Sequence, residues 1–329
     1  MRYDPNEFIP CAHSPFDDED EVLDEREIIL SDPRKIYDFL RARVYKQDEA
    51  CKQAALILYN HVNQRASRNV FCGPSGCGKT FIWDIIKNEL FDNVTIVDAS
   101  QMSKSGFSGS VKPVCALENV NSRMGDWIVV LDEVDKMIAP AYERYGSNVS
   151  EGIQAEFLAL MQPSMPYIYI HNKDNTRVKV QGLTWILCGS FAKAAEQIAD
   201  RKKTSGLGFG AEKVDAQAFE SELTIKDIVN FGMIPELASR MNRIVNLRPL
   251  KIEDYIHLIC DFENSPVRRL EENYGFEAGF LQQNILSKQD LTDIAIEAYE
   301  SGLGVRAAYS AVQRAIDNFM FDNFDTFTR

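Results

Sequence analysis

Apolar positions along the chain fall into two patterns. In one they form short, β-rich runs bounded by polar residues: NVFC from Asn69, NVTIVDA from Asn93, DWIVVLDE from Asp126 and TWILCGS from Thr184. Runs of this length read as buried strands, and the helix-compatible stretches between them, such as FIWDIIKNEL from Phe81, predict βαβ units and a mostly parallel sheet. The other pattern is helical and flanks the first. Asp32 followed by Pro33 is a helix start, because the aspartate can cap and proline loses nothing at the first helical position. The segment from Lys35 to Arg65 then reads as two helices broken near Val44 to Gln47. In VSEGIQAEFLALMQ, from Val149, Ile153, Phe157 and Leu160 share one helix face. After Pro249 the strand signal fades into helical segments, one of them opened by a capping box of Ser287 and Asp290.

This organisation predicts three parts: an acidic tail over residues 1–31, a large α/β domain over 32–248 and a small, mainly helical domain over 249–329. The tail carries DDEDEVLDERE, Asp17 to Glu27, a like-charge run that repels itself and reads as a mobile or loosely docked extension. Over 329 residues the formal net charge is −13, which argues against a protein that grips nucleic acid by phosphate neutralisation. The seven cysteines include no CxxC pair and read as reduced thiols. No apolar stretch reaches the ~18 residues of a membrane span, so a cytoplasmic protein without a membrane partner is expected.

Two motifs carry chemistry. GPSGCGKT comprises Gly73, Pro74, Ser75, Gly76, Cys77, Gly78, Lys79 and Thr80, and it follows a strand and opens a helix. Its glycines let successive N–H groups turn toward phosphate oxygens at a helix start, where the helix dipole also favours anions. Lys79 is expected to reach the β- and γ-phosphates of ATP, and Thr80 to ligate Mg²⁺. Some fifty residues on, a buried-type strand ends in Asp132 and Glu133, two like charges with no structural reason to adjoin. The pair fits a division of labour in which Asp132 serves Mg²⁺ and Glu133 polarises the attacking water as general base. Asp135 and Lys136 read as an interface or structural pair.

With these motifs the chain resembles the AAA+ unfoldases of the ClpX and HslU type, ClpX more than HslU, over roughly Asp32 to Asn318. VYKQDEACKQAALILYNH, from Val44, is similar to the family segment that contacts adenine, and VSEGIQAEFLALMQ to the helix after the second acidic motif. FGMIPELASR is similar to the segment ending in an arginine finger, which implies that role for Arg240. GVR, Gly304 to Arg306, resembles the motif of the second sensor, implying that Arg306 touches nucleotide from the small domain. Ser190 in CGSF stands nearest the family's first sensor. KSGFSGS lies where the family has its first pore loop, which implies that Phe107, Ser108 and Gly109 grip polypeptide. Ser108 replaces an aliphatic residue and weakens that grip. Leu207, Gly208 and Phe209, in the glycine-rich TSGLGFGAE, match in type and place the tripeptide that docks on ClpP-type peptidases. Only Cys11 stands where relatives carry a zinc domain, so no zinc site is expected there. The resemblance thus implies an Mg²⁺-dependent ATPase in a hexameric ring that acts on polypeptide substrates. The alternative is an ATP-gated binding or assembly switch that never threads polypeptide.

Overall fold

The computed structural model describes residues 24–103, 112–121, 126–142, 146, 148–161, 166–170, 176–196, 222–260, 265–301 and 304–323. Three helices lead: α1 (Glu25–Leu30), α2 (Pro33–Arg41) and α3 (Asp48–Val62). Asp32 caps α2 as predicted, its carboxylate accepting from Arg34 N at 2.8 Å with Pro33 in the first turn. Residues 25–30, expected to lie in the loosely docked tail, are instead helical. Asp24 caps them, Arg26 pairs with Asp92 at 3.2 Å, and Ile29 and Leu30 pack on the core. Their apolar run outweighs the charges that precede it.

The strands then alternate with helices: β1 (Arg68–Cys72), α4 (Lys79–Ile85, continued by one π turn to Leu90), β2 (Val94–Asp98), β3 (Ile128–Asp132), α5 (Val134–Ile138) and α6 (Val149–Leu160). A hairpin of β4 (Tyr167–Ile170) and β5 (Thr176–Lys179) precedes β6 (Thr184–Gly189). After it come α7 (Ile225–Phe231), the single turn α8 (Pro235–Ala238) and β7 (Arg243–Asn246). The five-stranded sheet has the order β2-β3-β6-β1-β7 and every pair is parallel. This is the α/β architecture the sequence predicts.

Alternate residues of each central strand feed opposite faces, as the two-residue strand period requires. Val70, Val129, Leu131, Trp185 and Leu187 join one core with Phe157 of α6, while Phe71, Ile128, Val130, Ile186 and Cys188 join the other with α2, α3 and α4. Both faces being covered, the strands read as continuous apolar runs. The C-terminal helices α9 (Ile252–Cys260), α10 (Pro266–Tyr274), α11 (Phe280–Asn284), α12 (Lys288–Glu300) and α13 (Val305–Asp322) build a third core of their own, from Leu250 to Ile316. The capping box of α12 forms between Ser287 and Asp290.

The break between α2 and α3 meets this third core. Lys46 takes a left-handed backbone (φ 56°) and ion-pairs with the buried Asp254 of α9. The Gln47 side chain donates to Arg248 O at 2.9 Å and accepts from Arg248 N at 3.0 Å. The Tyr45 ring lies against that of His257, tilted by 36° with centroids 4.6 Å apart.

Candidate nucleotide site

Three parallel strands, β1, β6 and β3, deliver their C-terminal ends to one edge of the sheet, and a cleft of about 680 Å³ opens there against the C-terminal helices. The loop after β1 turns through Gly73, Gly76 and Gly78 at φ 151°, 73° and 100°. A Cβ on Gly73 would stand 2.8 Å from Leu247 O, so only glycine fits where the loop passes β7. Gly78 precedes α4 without any side-chain cap, which leaves the first-turn N–H groups for a ligand. Lys79 is buried, and its ammonium donates to Gly73 O at 2.8 Å and Pro74 O at 2.7 Å. Neutral carbonyls hold it, and among the described residues no carboxylate pairs with it. An uncapped helix start beside an uncompensated ammonium fits a polyphosphate. The neighbouring thiols do not offset that charge, because burial pushes Cys72 up to about 12 and raises Cys77 and Cys188 as well.

Opposite the loop, β3 ends at Asp132. Successive strand residues point to opposite faces, but Glu133 is left-handed (φ 54°, ψ 34°), and both carboxylates line the same cleft. Asp132 Oδ1 accepts from Glu133 N at 2.9 Å, and Glu133 Oε2 pairs with Lys136 at 2.6 Å. Asp135, one residue before Lys136, clamps the end of β6. Its two oxygens accept from Ser190 N at 3.0 Å and Ser190 Oγ at 3.1 Å. The Ser190 hydroxyl is thereby turned to Asp135, and donation to a phosphate would require it to leave that bond.

The C-terminal helices close the cleft. Arg306, in the first turn of α13, lines the cleft with Arg269, Tyr309 and Leu258, and from the other side come Arg43, Val44 and Tyr45. The contact is tightest at Gly304 (φ 66°), where an added Cβ would lie 2.8 Å from Gly76 Cα. Asp84 of α4 also faces the cleft. Burial raises its carboxyl, Lys87 and Arg306 oppose the rise, and Asp132 adds to it.

Residues 69–182 match the model of the ATPase family associated with various cellular activities (AAA). The chain is 23% identical to the ATP-dependent Clp protease ATP-binding subunit ClpX of Treponema denticola, over 91% of this chain and 79% of that protein. The protein of the same name from Borrelia duttonii is also 23% identical, over 89% of this chain and 75% of its own length. Residues 69–182 thus form an AAA ATPase domain, in a chain similar to ClpX.

Of the residues singled out in the sequence of this ATPase, Ser75 to Thr80, Asp132, Glu133, Ser190 and Arg306 meet around the one cleft. Arg240 does not. It precedes β7 at the other edge of the sheet, where Asn242 N donates to Arg68 O and Arg68 N to Asn242 Oδ1. The five residues of β1 separate that edge from the phosphate loop by about 13 Å. Arg240 is exposed, and no ion pair holds it among the described residues. Phe107, Ser108 and Gly109, and likewise Leu207, Gly208 and Phe209, lie outside the described residues. Sequence reasoning missed Arg43, Asp84 and Arg269. Arg43 lies in the turn after α2 and Asp84 and Arg269 lie on helices, with no motif to mark any of them from a solvated charge. No helix among the described residues is long and apolar enough to cross a membrane.

Proposed function

We propose that this ATPase works as a subunit of a hexameric ring that pulls on polypeptide and docks on a ClpP-type peptidase. The observation that carries this reading is the distance between Arg240 and the cleft of its own subunit. A cation on the far edge of the sheet can complete a nucleotide site only in a neighbour, which makes hydrolysis depend on assembly. In this reading residues 32–248 form the ATPase domain, residues 249–329 the lid, and residues 1–31 an acidic extension. Lys79 binds the β- and γ-phosphates, Thr80 and Asp132 hold Mg²⁺, and Arg306 reports nucleotide to the lid. Mg²⁺, when bound, supplies neutralisation of phosphate charge. Glu133 accepts the proton of the attacking water at its carboxylate, exchanging Lys136 for water to do so. Phe107, Ser108 and Gly109 contact the polypeptide, and Leu207, Gly208 and Phe209 the peptidase.

The test is the ATPase rate per subunit against protein concentration, with and without an unfolded or tagged protein, followed together with unfolding of a fluorescent reporter. The rate is expected to rise with assembly and with substrate, and the reporter to unfold only with ATP. A rate unchanged by dilution to monomers overturns the action of Arg240 on a neighbour. Hydrolysis without reporter unfolding points to an ATP-gated switch, a reading favoured by Ser108 in place of an aliphatic residue. Loss of peptidase association in Phe209→Ala, with ATPase and assembly intact, is the expected sign of docking.

A further inference from the structure

Between the acid pair and Arg240 runs a buried polar strut. Gln154, on α6, is fully buried, an unusual site for a glutamine unless every polar atom is satisfied. Its amide nitrogen donates to Gly232 O at 2.9 Å and to Ser150 Oγ at 3.2 Å, and its oxygen accepts from Ile234 N at 2.8 Å. Ser150, also buried, shares its hydroxyl proton between Met137 O at 2.7 Å and Ile138 O at 2.8 Å, the last carbonyls of α5. Glu133 is the residue from which α5 begins. Ile234 leads directly into α8, on whose end Arg240 N rests by a 3.0 Å bond to Leu237 O.

The far side of the same strut is a bare backbone contact. Gly232 (φ 143°) lies so near the end of α5 that a Cβ on it would stand 2.8 Å from Ile138 O and 3.0 Å from Pro140 Cδ. The segment that carries Arg240 is thus pressed on α5 by packing and tied to it through Gln154 and Ser150. A short helix cannot move at its Glu133 end without moving the carbonyls at its other end.

We infer that Gln154 is a positioning residue that seats the Arg240 segment on the helix of the subunit's own acid pair, so that the state of one site sets the arginine offered to the next. This inference rests on the reading of Arg240 as acting on a neighbour. Contact alone does not establish such coupling, so the test asks on which site a Gln154 defect falls. Glu133→Gln chains, inactive in their own cleft, still offer Arg240 to wild-type neighbours. Mixed with equal amounts of wild type, where random mixing sets a mutant neighbour beside half of the wild-type clefts, Glu133→Gln/Gln154→Met chains are expected to leave close to half the ATPase that Glu133→Gln chains leave. Glu133→Gln/Arg240→Ala chains mark the floor. In rings of Gln154→Met alone, kcat per nucleotide-binding subunit is expected to fall while the KM for ATP stays within twofold of wild type; counting only the subunits that bind nucleotide removes any loss of folded protein from the comparison.

Equal activity with and without Gln154→Met, when Arg240→Ala does lower it, overturns the inference and leaves the role of Arg240 standing. If Arg240→Ala also has no effect in this setting, the reading of Arg240 fails and the inference fails with it. Should Gln154→Met chains not enter rings, Gly232→Ala takes their place, since it displaces the same segment with Gln154 intact. Failure of both to assemble reduces Gln154 to a residue that holds the fold, which also overturns the inference.

Discussion

Glu133 sits in a left-handed conformation that costs a non-glycine residue about 1–2 kcal/mol, and the chain keeps it at the mouth of the cleft. Strain of this kind persists where a side chain must be aimed. Glu133→Gln is expected to keep ATP binding while lowering turnover ~10²- to 10⁴-fold, the usual cost of losing a general base. Binding of a fluorescent nucleotide and release of phosphate measure the two halves of that statement. Glu133→Gly separates strain from chemistry. It is expected to melt no lower than wild type and still to lose turnover, because glycine adopts φ 54° without penalty. Lys136 is a milder case. Its pair with Glu133 is about half exposed, so Lys136→Met is expected to change stability by less than about 1 kcal/mol, checked by chemical denaturation.

At the scale of elements, His61 joins the last turn of α3 to the start of β6. It is buried, its Nδ1 lies 2.9 Å from Thr184 Oγ1, and its ring meets Phe91 edge-on. Burial lowers its pKa from 6.5, with Asp126 opposing the shift. Below 6.5 the unfolded chain therefore binds a proton that the folded chain refuses, and stability falls as pH drops through that range. His61→Gln, which cannot titrate, is expected to show a smaller loss of stability between pH 7.5 and 5.5 when unfolding is followed in urea. The elements also show where sequence reasoning reaches. β1, β2, β3 and β6 were legible because burial on both faces makes each a short apolar run. The β4–β5 hairpin escaped notice because Tyr167 and Tyr169 are exposed and the partner strand has a single apolar residue, Val178, between Arg177 and Lys179. β7, RIVN, is too short to stand out beside the Arg240 segment. In the site, Gly73 to Thr80, Asp132 and Glu133 announce themselves by spacing, whereas Gln154 has no sequence signature. A buried glutamine and a solvated one look alike until the carbonyls they serve are placed.

For the whole molecule, the contact between Gly304 and Gly76 ties the C-terminal helices to the phosphate loop with no side chain between the two backbones. Gly304→Ala is expected to force them apart and to weaken ATP binding at least fivefold, measured by titration with fluorescent nucleotide, while the fold remains intact. Arg240→Ala is expected to lose turnover alone and to regain part of it when mixed with Glu133→Gln chains. In random pairs, about a quarter of head-to-tail interfaces then combine an intact acid with an intact arginine. On the proposed action of Arg240 on a neighbour, the opposite placement of cleft and arginine on the two edges of one parallel sheet has a consequence for counting. A row of copies joined edge to edge always ends in one cleft that lacks an arginine and one arginine that lacks a cleft. Each added subunit completes one site and exposes another, so no open row is ever finished, and closure into a circle is the single step that completes a site without adding a subunit.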